Sequence, residues 1–348
     1  MGENENLEDF FAGMRYNKGE WEELRMKPIA LLYTGGTIGA RVTDGAADAA
    51  PGGGRLLTEV FRRRHPDSPA VFDEREPLTT LSENMTVEKW NTLLDALRGL
   101  EPAAFAGVIL THGTDTLAYT ANLLALALEG TALPVILVSS HTPPTDPAAN
   151  GHRHFAAAVQ AIAQGHPGGV YAALSDLADA PESREVRLIP GERLTQCAGL
   201  TDRFGVAPAP PGKRGGEPPL RRLPPLAACV AQVWPYPGLD YRTIALPEGT
   251  RAVLHGLYHS GTACMEGVAT GFPGFAARCR DAGMLLALCP ARREGADYRY
   301  ASAAGLEGGG VLPLPGNTME RAYALLLIAC ALYKDNDEAA AFIRERYG

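Results

Sequence analysis

The sequence predicts an α/β protein in which a larger N-terminal domain, built on a mainly parallel sheet flanked by helices, precedes a smaller C-terminal α/β domain. Short continuous apolar runs alternate with amphipathic segments along most of the chain, a pattern typical of parallel strands covered by helices on both faces. The 348 residues, 46% of them hydrophobic, exceed what one core usually organises, so we expect two domains.

Composition divides the chain into four segments. Residues 1–27 are a charged N-terminal extension to which we assign no chemistry, and residues 28–206 are the larger domain. Residues 207–226 are dense in Pro and Gly and carry no periodic apolar pattern, so we expect a linker there. Residues 227–348 resume the alternation and form the smaller domain.

Each element has its own signal, taken in chain order. In the larger domain the expected strands are IALLY (29–33), GVILT (107–111), PVILVSS (134–140) and GVYAAL (169–174), and the expected helices cover 85–100, 116–130 and 154–165. Thr86 is the expected N-cap of the first helix, which places Trp90, Leu93, Leu94, Leu97 and Leu100 on one face. In the smaller domain, strands ACVAQVW, AVLHGLY and MLLALC precede a long helix that Asn317 and Glu320 cap with a capping box.

Charge and cysteine usage exclude several classes of protein. A formal net charge of −8 disfavours general nucleic-acid binding, and the acidic N-terminus is unlike a secretory signal. The apolar stretch 322–332 is too short to cross a bilayer, so we expect no membrane association. The six cysteines lack metal-ligand spacing, which favours reduced core thiols, a cytoplasmic location, and no metal or cofactor.

Two threonine-containing motifs lie where expected strands end. YTGGT (33–37) sets a hydroxyl after a glycine pair that lets the chain turn tightly and approach a ligand, and THGTDT (111–116) adds hydroxyls and a carboxylate. Ligands bind at such strand ends in parallel sheets. Each motif also has a purely structural interpretation, as a turn or as the N-cap of a helix. A nucleotide-phosphate site is disfavoured because no P-loop lysine or GxGxxG spacing accompanies the glycines.

Together and in this order, the motifs resemble those of the bacterial-type L-asparaginase family, most closely its cytosolic type I branch. YTGGTIGA is similar to the family's first threonine motif, and GVILTHGTDTLAYTANLL to its second. Weaker similarity extends over most of residues 28–333, through LSENMT, PVILVSS and GNTMERAYALLLIA. The resemblance implies an amidohydrolase that converts asparagine to aspartate and ammonia, acts on a small amide without a cofactor, and forms a homo-oligomer, a dimer or tetramer.

The resemblance also implies catalytic roles for individual residues. Thr37 is similar to the threonine nucleophile, and Thr114 to the second catalytic threonine near the attacking water or the oxyanion. Asp115 would bind the α-ammonium of the substrate and join the catalytic triad. Backbone N–H groups at the Gly113 turn would stabilise an oxyanion, and Gly36 would let the main chain approach the substrate closely.

Ser82 and Glu83 complete the implied substrate site. They match the positions that hold the α-carboxylate and amino end of the substrate.

The chain departs from the family pattern at the third member of the triad. The family has a lysine in an Arg-x-x-Lys segment, and the matching segment here, SREVRLI, has Arg184 and Arg187 at the two basic positions. Arginine retains the positive charge but does not release a proton. If the lysine acts as a fixed charge, Arg187 replaces it; if the lysine relays a proton, this chain is slow or inactive. The alternative hypothesis is therefore a non-catalytic relative that binds a small amino acid or amide as a sensor or scaffold.

Three further features have possible functional roles. The segment RVTDGAADAAPGGGRL, which follows the first motif, lacks the lid tyrosine of the family and predicts a flexible lid. His152 and His154 form an HxH pair, for which a surface or capping role is favoured over a metal site. His112 is expected to orient its loop rather than act as a base.

Overall fold

A computed structural model describes residues 27–146, 148–180, 183–197, 199, 201–212, 219–267, 269–291, 300–306 and 310–347. Nearly all of the expected N-terminal extension, residues 1–26, lies outside the described residues, as do residues 213–218 of the expected linker.

Within the described residues the strands occur in this chain order: β1 (Ile29–Leu32), β2 (Ala40–Thr43), β3 (Ala46–Ala49), β4 (Phe72–Arg75), β5 (Gly107–Thr111), β6 (Pro134–Val138), β7 (Gly169–Leu174), β8 (Arg187–Pro190), β9 (Leu194–Cys197), β10 (Phe204–Val206), β11 (Val230–Val233), β12 (Ala252–Gly256), β13 (Leu285–Ala291) and β14 (Leu312–Pro315). The helices are α1 (Arg55–Arg64), α2 (Val87–Arg98), α3 (Leu117–Ala127), α4 (Gly151–Ala163), α5 (Phe272–Asp281), α6 (Ala301–Ala304), α7 (Met319–Leu332) and α8 (Asn336–Tyr347).

The larger sheet has the strand order β4-β1-β5-β6-β7-β8, and neighbouring strands are parallel except β7 and β8, which are antiparallel. The smaller sheet has the order β11-β12-β13-β14 and is parallel throughout. Two antiparallel pairs, β2-β3 and β9-β10, lie outside these sheets. The predicted fold class, a mainly parallel sheet flanked by helices followed by a smaller α/β region, is confirmed.

The larger sheet is covered on both faces, which explains the continuous apolar strands. Every residue of β1, β5 and β6 is buried. Alternate residues of β1 face opposite cores: Ala30 and Leu32 pack with α2 and α3, whereas Ile29 and Leu31 pack with α1 and α4. Such two-sided burial is what parallel sheets require, because their crossover helices lie on the faces.

Helix α2 matches its prediction. It begins at Val87 after the N-cap Thr86, whose hydroxyl accepts a hydrogen bond from the Lys89 N–H at 3.4 Å. Its apolar face is buried in the core that it shares with α3. The predicted N-terminus of this helix is therefore confirmed.

Helix α7 connects the two cores and corrects one prediction. Leu325 packs in the core of the larger sheet, whereas Leu326 packs in that of the smaller sheet, so the helix is apolar around its circumference. Its N-cap is Thr318, whose hydroxyl accepts from the Arg321 N–H at 3.2 Å, and not the predicted Asn317. Glu320 accepts from the Gln196 N–H instead of closing a capping box.

The described end of the expected linker packs on the larger domain. Leu220, Leu223 and Leu226 are buried in the core that contains α2. Asn91 holds Leu226 by two hydrogen bonds, donating from Nδ2 to its carbonyl at 2.9 Å and accepting from its N–H at 2.8 Å. The proposed domain boundaries themselves stay predictions.

Parallel strands place their carboxyl ends at one edge of the larger sheet. The residues that follow β1, β5, β6 and β7 therefore meet there, and we call this the carboxyl edge. Among the described residues, no helix is both long and apolar enough to cross a membrane.

Candidate active site

The turn after β1 contacts the turn after β5 through two glycines. Gly36 has φ +77°, and a Cβ atom added to it would lie 2.3 Å from the backbone nitrogen of Gly113. Its own N–H donates to the Thr80 carbonyl at 2.8 Å. Only glycine fits this close approach, which leaves Thr37 half-buried at the carboxyl edge, at the start of a short 3₁₀ turn.

Ser82 joins the second motif by two hydrogen bonds. Its hydroxyl donates to the Asp115 carboxylate, Oγ to Oδ2, at 3.2 Å and accepts from the Asp115 N–H at 3.1 Å. The Thr116 hydroxyl donates to the Ser82 carbonyl at 2.9 Å. Asp115 is exposed and Thr114 half-buried, so a hydroxyl and a carboxylate from this loop both reach solvent.

A lysine fixes the segment that carries Ser82. The ammonium of Lys89 donates to the Thr80 hydroxyl at 2.8 Å and to the Asn84 carbonyl at 2.7 Å. Because the Thr80 carbonyl also accepts from the Gly36 N–H, this lysine indirectly supports the glycine contact.

His112 is buried beneath the second motif and serves as a strut. Its Nδ1 donates to the Gly113 carbonyl at 2.7 Å, and its Nε2 accepts from the Thr120 hydroxyl at 2.8 Å. The oxygen of that hydroxyl in turn accepts from the indole N–H of Trp90. Burial lowers the pKa of His112 to about 4, so the ring is neutral at pH 7. This arrangement fits the predicted orienting role.

The same loop offers backbone donors. Among the described residues, the N–H groups of Gly113 and Thr114 have no hydrogen-bond acceptor. Both lie at the carboxyl edge, where such groups stabilise negative charge that develops on a bound molecule.

Arg187 and Glu83 are not joined to this cluster. Arg187 begins β8, which is three strands away from β5, and its guanidinium pairs with Asp179 at 3.1 Å while 42% of its side chain is exposed. Glu83 is exposed in the 3₁₀ turn Ser82–Asn84. Within the described part of the chain, no hydrogen bond or ion pair links either residue to Asp115.

Two residues that sequence reasoning missed lie at the same edge. His141 follows β6 and Asp176 follows β7, and the imidazole Nε2 lies 3.3 Å from the carboxylate Oδ2. Burial acts to raise the pKa of Asp176, but the hydrogen bonds from His141 and Asn150 hold it below its usual value. The signal was present in the sequence, since each residue ends an apolar run, PVILVSSH and GVYAALSD.

His154 is buried rather than at the surface, which corrects that part of the prediction. Its Nδ1 donates to the Ser139 carbonyl at 2.8 Å, and its Nε2 accepts from the Ser175 N–H at 3.1 Å. It therefore ties the end of β6 to the end of β7. His152 is half-buried with Nε2 3.3 Å from the Pro144 carbonyl, and no group of potential metal ligands is found among the described residues.

Cys197 lies between the two parts of the edge. Burial raises its pKa to about 11, and the carboxylates of Asp202, Asp115 and Asp176 add to the rise. The thiol is protonated at neutral pH and is a poor nucleophile. Gln196, its neighbour, donates from its side chain to the Asp115 carbonyl.

The expected flexible lid is structured over part of its length. Strands β2 and β3 form a hairpin that is exposed beyond Ala40 and turns at Asp44 and Gly45. The hairpin begins at Ala40, three residues after Thr37.

These features define an α/β protein with hydroxyl and carboxylate groups at the strand ends of its larger sheet. Residues 28–196 match the family model of the asparaginase N-terminal domain. The match covers just under half of the chain, and the resemblance to the asparaginase family seen in the threonine motifs is confirmed.

Individual relatives agree with this placement. An L-asparaginase of Thermococcus kodakarensis is 32% identical over 148 residues, which cover 42% of this chain and 44% of that protein. A glutamyl-tRNA(Gln) amidotransferase subunit of Sulfurisphaera tokodaii is 33% identical over 130 residues, which cover 36% of this chain and 28% of that protein. The chain thus spans less than half the length of these curated relatives.

Solved structures extend the similarity of fold to most of the chain. The thermostable L-asparaginase from Thermococcus kodakarensis superposes with a TM-score of 0.73 at 23% identity, covering 92% of this chain and 99% of that one. L-asparaginase I from Vibrio cholerae gives a TM-score of 0.69 at 22% identity, covering 92% and 97%. At these identities the likeness concerns the fold.

Proposed function

We propose that this chain is an asparaginase-type amidohydrolase that hydrolyses the side-chain amide of L-asparagine to aspartate and ammonia. The observation that carries the proposal is the Ser82–Asp115 contact beside the Gly36–Gly113 contact. These contacts support the proposal that Thr37, Thr114 and Asp115 share one crevice at the carboxyl edge. The match of residues 28–196 to the asparaginase family model supports the same chemistry.

In the proposed reaction, Thr37 is the nucleophile. Its hydroxyl oxygen attacks the amide carbon, ammonia leaves, and the resulting ester is hydrolysed by water. The N–H groups of Gly113 and Thr114 stabilise the oxyanion, and the Thr114 hydroxyl orients the water. Half-burial of both threonines keeps them accessible to a small amide.

The substrate is held through its charged ends. Asp115 is exposed and oriented by Ser82, so its carboxylate is positioned to pair with an α-ammonium group. Ser82 and Glu83 hold the α-carboxylate and amino end in this proposal. Arg187 contributes at most a long-range charge, because its guanidinium is paired with Asp179 in an exposed position.

Ammonia release tests the proposal. Purified protein is incubated with L-asparagine and, separately, with glutamine, since some relatives are named as subunits of a glutamyl-tRNA(Gln) amidotransferase. We expect ammonia from asparagine, and its loss in Thr37→Ala and Thr114→Ala. Thr92→Ala, at an exposed helical threonine, is the matched control and should behave like the unaltered chain. Ammonia production no higher than that of Thr37→Ala would refute the proposal.

The second candidate is a non-catalytic relative that binds a small amino acid or amide as a sensor or scaffold. The pairing of Arg187 with Asp179 favours it, because the triad position that the family fills with lysine then contributes no proton. Calorimetry would show aspartate or asparagine binding without turnover, and binding would disappear in Asp115→Asn. A protein that binds neither amino acid excludes this candidate.

We also propose a cytoplasmic homo-oligomer, a dimer or tetramer, by similarity to the family and because closed symmetry is common. Light scattering of the purified chain measures the mass directly. A monomer at micromolar concentration would contradict this part of the proposal.

A further inference from the structure

Strand register aligns residues of three neighbouring strands at the carboxyl edge. Thr111 of β5 pairs with Val138 of β6, and Val138 pairs with Ala173 of β7. The His112 N–H donates to the Val138 carbonyl at 2.9 Å, so the ends of β5 and β6 are still adjacent where the second threonine motif begins. Because β6 lies between β5 and β7, the loop that carries His141 lies between the loop of the second threonine motif and the loop that carries Asp176.

A second contact connects His141 to the first motif. A Cβ atom added to Gly151 would lie 2.9 Å from Ser140 Cβ and 3.0 Å from Ile38 Cγ1. Ser140 precedes His141 and Ile38 follows Thr37, so the two loops meet over this glycine. The proposed nucleophile and the imidazole therefore belong to neighbouring loops of the carboxyl edge.

The His141–Asp176 pair is held by other side chains. The side-chain oxygen of Asn150 accepts from the backbone N–H of His141 at 3.1 Å, and the side-chain nitrogen of Asn150 donates to the Asp176 carboxylate. The Ser175 hydroxyl also donates to this carboxylate, at 3.3 Å. Phe204 stacks on the imidazole with ring centres 6.3 Å apart. A carboxylate that orients an imidazole in this way is the arrangement by which enzymes prepare a general base.

One nitrogen of the His141 imidazole has no hydrogen-bond partner among the described residues. Its Nε2 lies 3.3 Å from the Asp176 carboxylate and is placed to donate to it, whereas Nδ1 has no hydrogen-bond partner among the described residues and is not buried. The side chains of His141 and Asp176 are 16% and 32% exposed, so the pair lines the open crevice. Nδ1 is thus an available proton acceptor.

We propose that His141, oriented by Asp176, is the general base of the crevice and takes the proton-transfer role for which the family resemblance expects a lysine. This inference rests on the proposed amidohydrolase function. As the Thr37 oxygen bonds to the amide carbon, its proton passes to Nδ1, directly or through one water. The imidazolium then returns that proton to the amide nitrogen as the C–N bond breaks and ammonia leaves.

The second half of the reaction uses the same atoms. Nδ1 takes a proton from water as the water oxygen bonds to the ester carbon. The bond between that carbon and the Thr37 oxygen then breaks, and the imidazolium returns the proton to the threonine. No charge or proton is left over in the enzyme, and the products are the side-chain carboxylic acid and ammonia, which become a carboxylate and an ammonium ion when the acid gives up its proton.

The base works only while its ring is neutral, so acid should suppress the rate. Among the titratable and charged groups near this pair, Asp176 and His154 interact with His141 itself. Arg153 interacts with both Asp176 and His154, and Arg184 with Arg153. Cys197 interacts with Asp115, Asp176 and Asp202. Of these, His154 is a buried neutral ring and Cys197 a protonated thiol at neutral pH, so neither competes as the base.

Three variants test the inference. His141→Gln should lower kcat by about 100-fold or more with little change in KM, and should abolish the fall of kcat at acid pH. Asp176→Asn, which preserves shape, should lower kcat by about tenfold or more and keep that fall. His141→Ala should regain part of its rate when imidazole is added, which a merely structural residue would not do. His166→Gln, at the opposite edge of the sheet before β7, is the matched control.

The outcomes separate the two proposals. If the unaltered chain releases ammonia and Thr37→Ala does not, but His141→Gln keeps an unchanged kcat and pH profile, the role of His141 is overturned and the amidohydrolase stands. If the unaltered chain releases no ammonia from either amide, both fail. Thermal unfolding shows which variants are folded. If His141→Gln is not folded, the other two variants decide. A normal rate in Asp176→Asn, together with no imidazole rescue of His141→Ala, then overturns the inference.

Discussion

The two halves of the carboxyl edge are built in different ways. The β1/β5 half is held by backbone contact, since Gly36 meets Gly113 and Ser82 bonds both the N–H and the carboxylate of Asp115. The β6/β7 half is held by side chains, with Asn150 joining the His141 backbone to the Asp176 carboxylate. In the proposed reaction, the first half supplies the nucleophile and the binding groups, whereas the second half supplies the groups that move a proton.

Each half contains a buried neutral histidine, and we expect acid to destabilise both halves. Burial lowers the pKa of His112 and of His154 from the usual 6.5 to about 4. The unfolded chain therefore takes up these protons first, so the stability present above pH 6.5 is lost as the pH falls towards 4. At about 1.4 kcal/mol per pKa unit, we expect each histidine to contribute a loss of about 3 kcal/mol in the free energy of unfolding.

Urea unfolding measured from about pH 7 down to about pH 4 checks this expectation. His154→Gln should remove roughly half of the pH dependence attributed to the two rings, whereas His259→Gln, at an exposed histidine, should leave it unchanged. A free energy of unfolding that does not change across this pH range would contradict the roles assigned to His112 and His154.

The next prediction compares Asp115, which follows β5, with Asp179, which follows β7. Asp115→Asn removes the charge that is oriented by Ser82 and proposed to pair with the substrate ammonium, so we expect kcat/KM for asparagine to fall by about 1,000-fold. Asp179→Asn removes an exposed partner of Arg187 and should leave kcat/KM nearly unchanged. Steady-state ammonia release measures both, and equal losses would mean that the site is not centred on Asp115.

The contrast between the halves also explains what the sequence could predict. Strands β1, β5, β6 and β7 and the β1/β5 half follow from local signals, because the apolar runs mark the strands, and the glycines and hydroxyls that end them indicate tight turns. The β6/β7 half depends on Asn150 bonding Asp176 across 26 positions in the chain, and no short motif announces such a contact. The position of Arg187 likewise depends on β8 running antiparallel at the edge of the sheet.

The glycine contact can be sharpened by a matched pair of substitutions. Gly36→Ala combines φ +77° with a Cβ atom 2.3 Å from the Gly113 nitrogen, so we expect a loss of about 2 kcal/mol in the free energy of unfolding. Gly45→Ala has φ +79° but no atom within 4 Å, so only the backbone conformation costs stability, about 1 kcal/mol. Urea unfolding measures the free energy of unfolding of both variants. Equal losses would show that the close approach of Gly36 to Gly113 does not contribute to stability.

The smallest effect concerns Arg187. Its side chain is 42% exposed and its guanidinium lies 3.1 Å from the Asp179 carboxylate, while β8 stands three strands away from β5. An exposed ion pair of this kind contributes little, so Arg187→Gln should change stability by less than about 1 kcal/mol and kcat by less than about tenfold. Arg187→Lys should behave the same way. If Arg187→Lys instead raised kcat strongly, the proton transfer would run through this position, and the β6/β7 half would lose the role that separates it from the β1/β5 half.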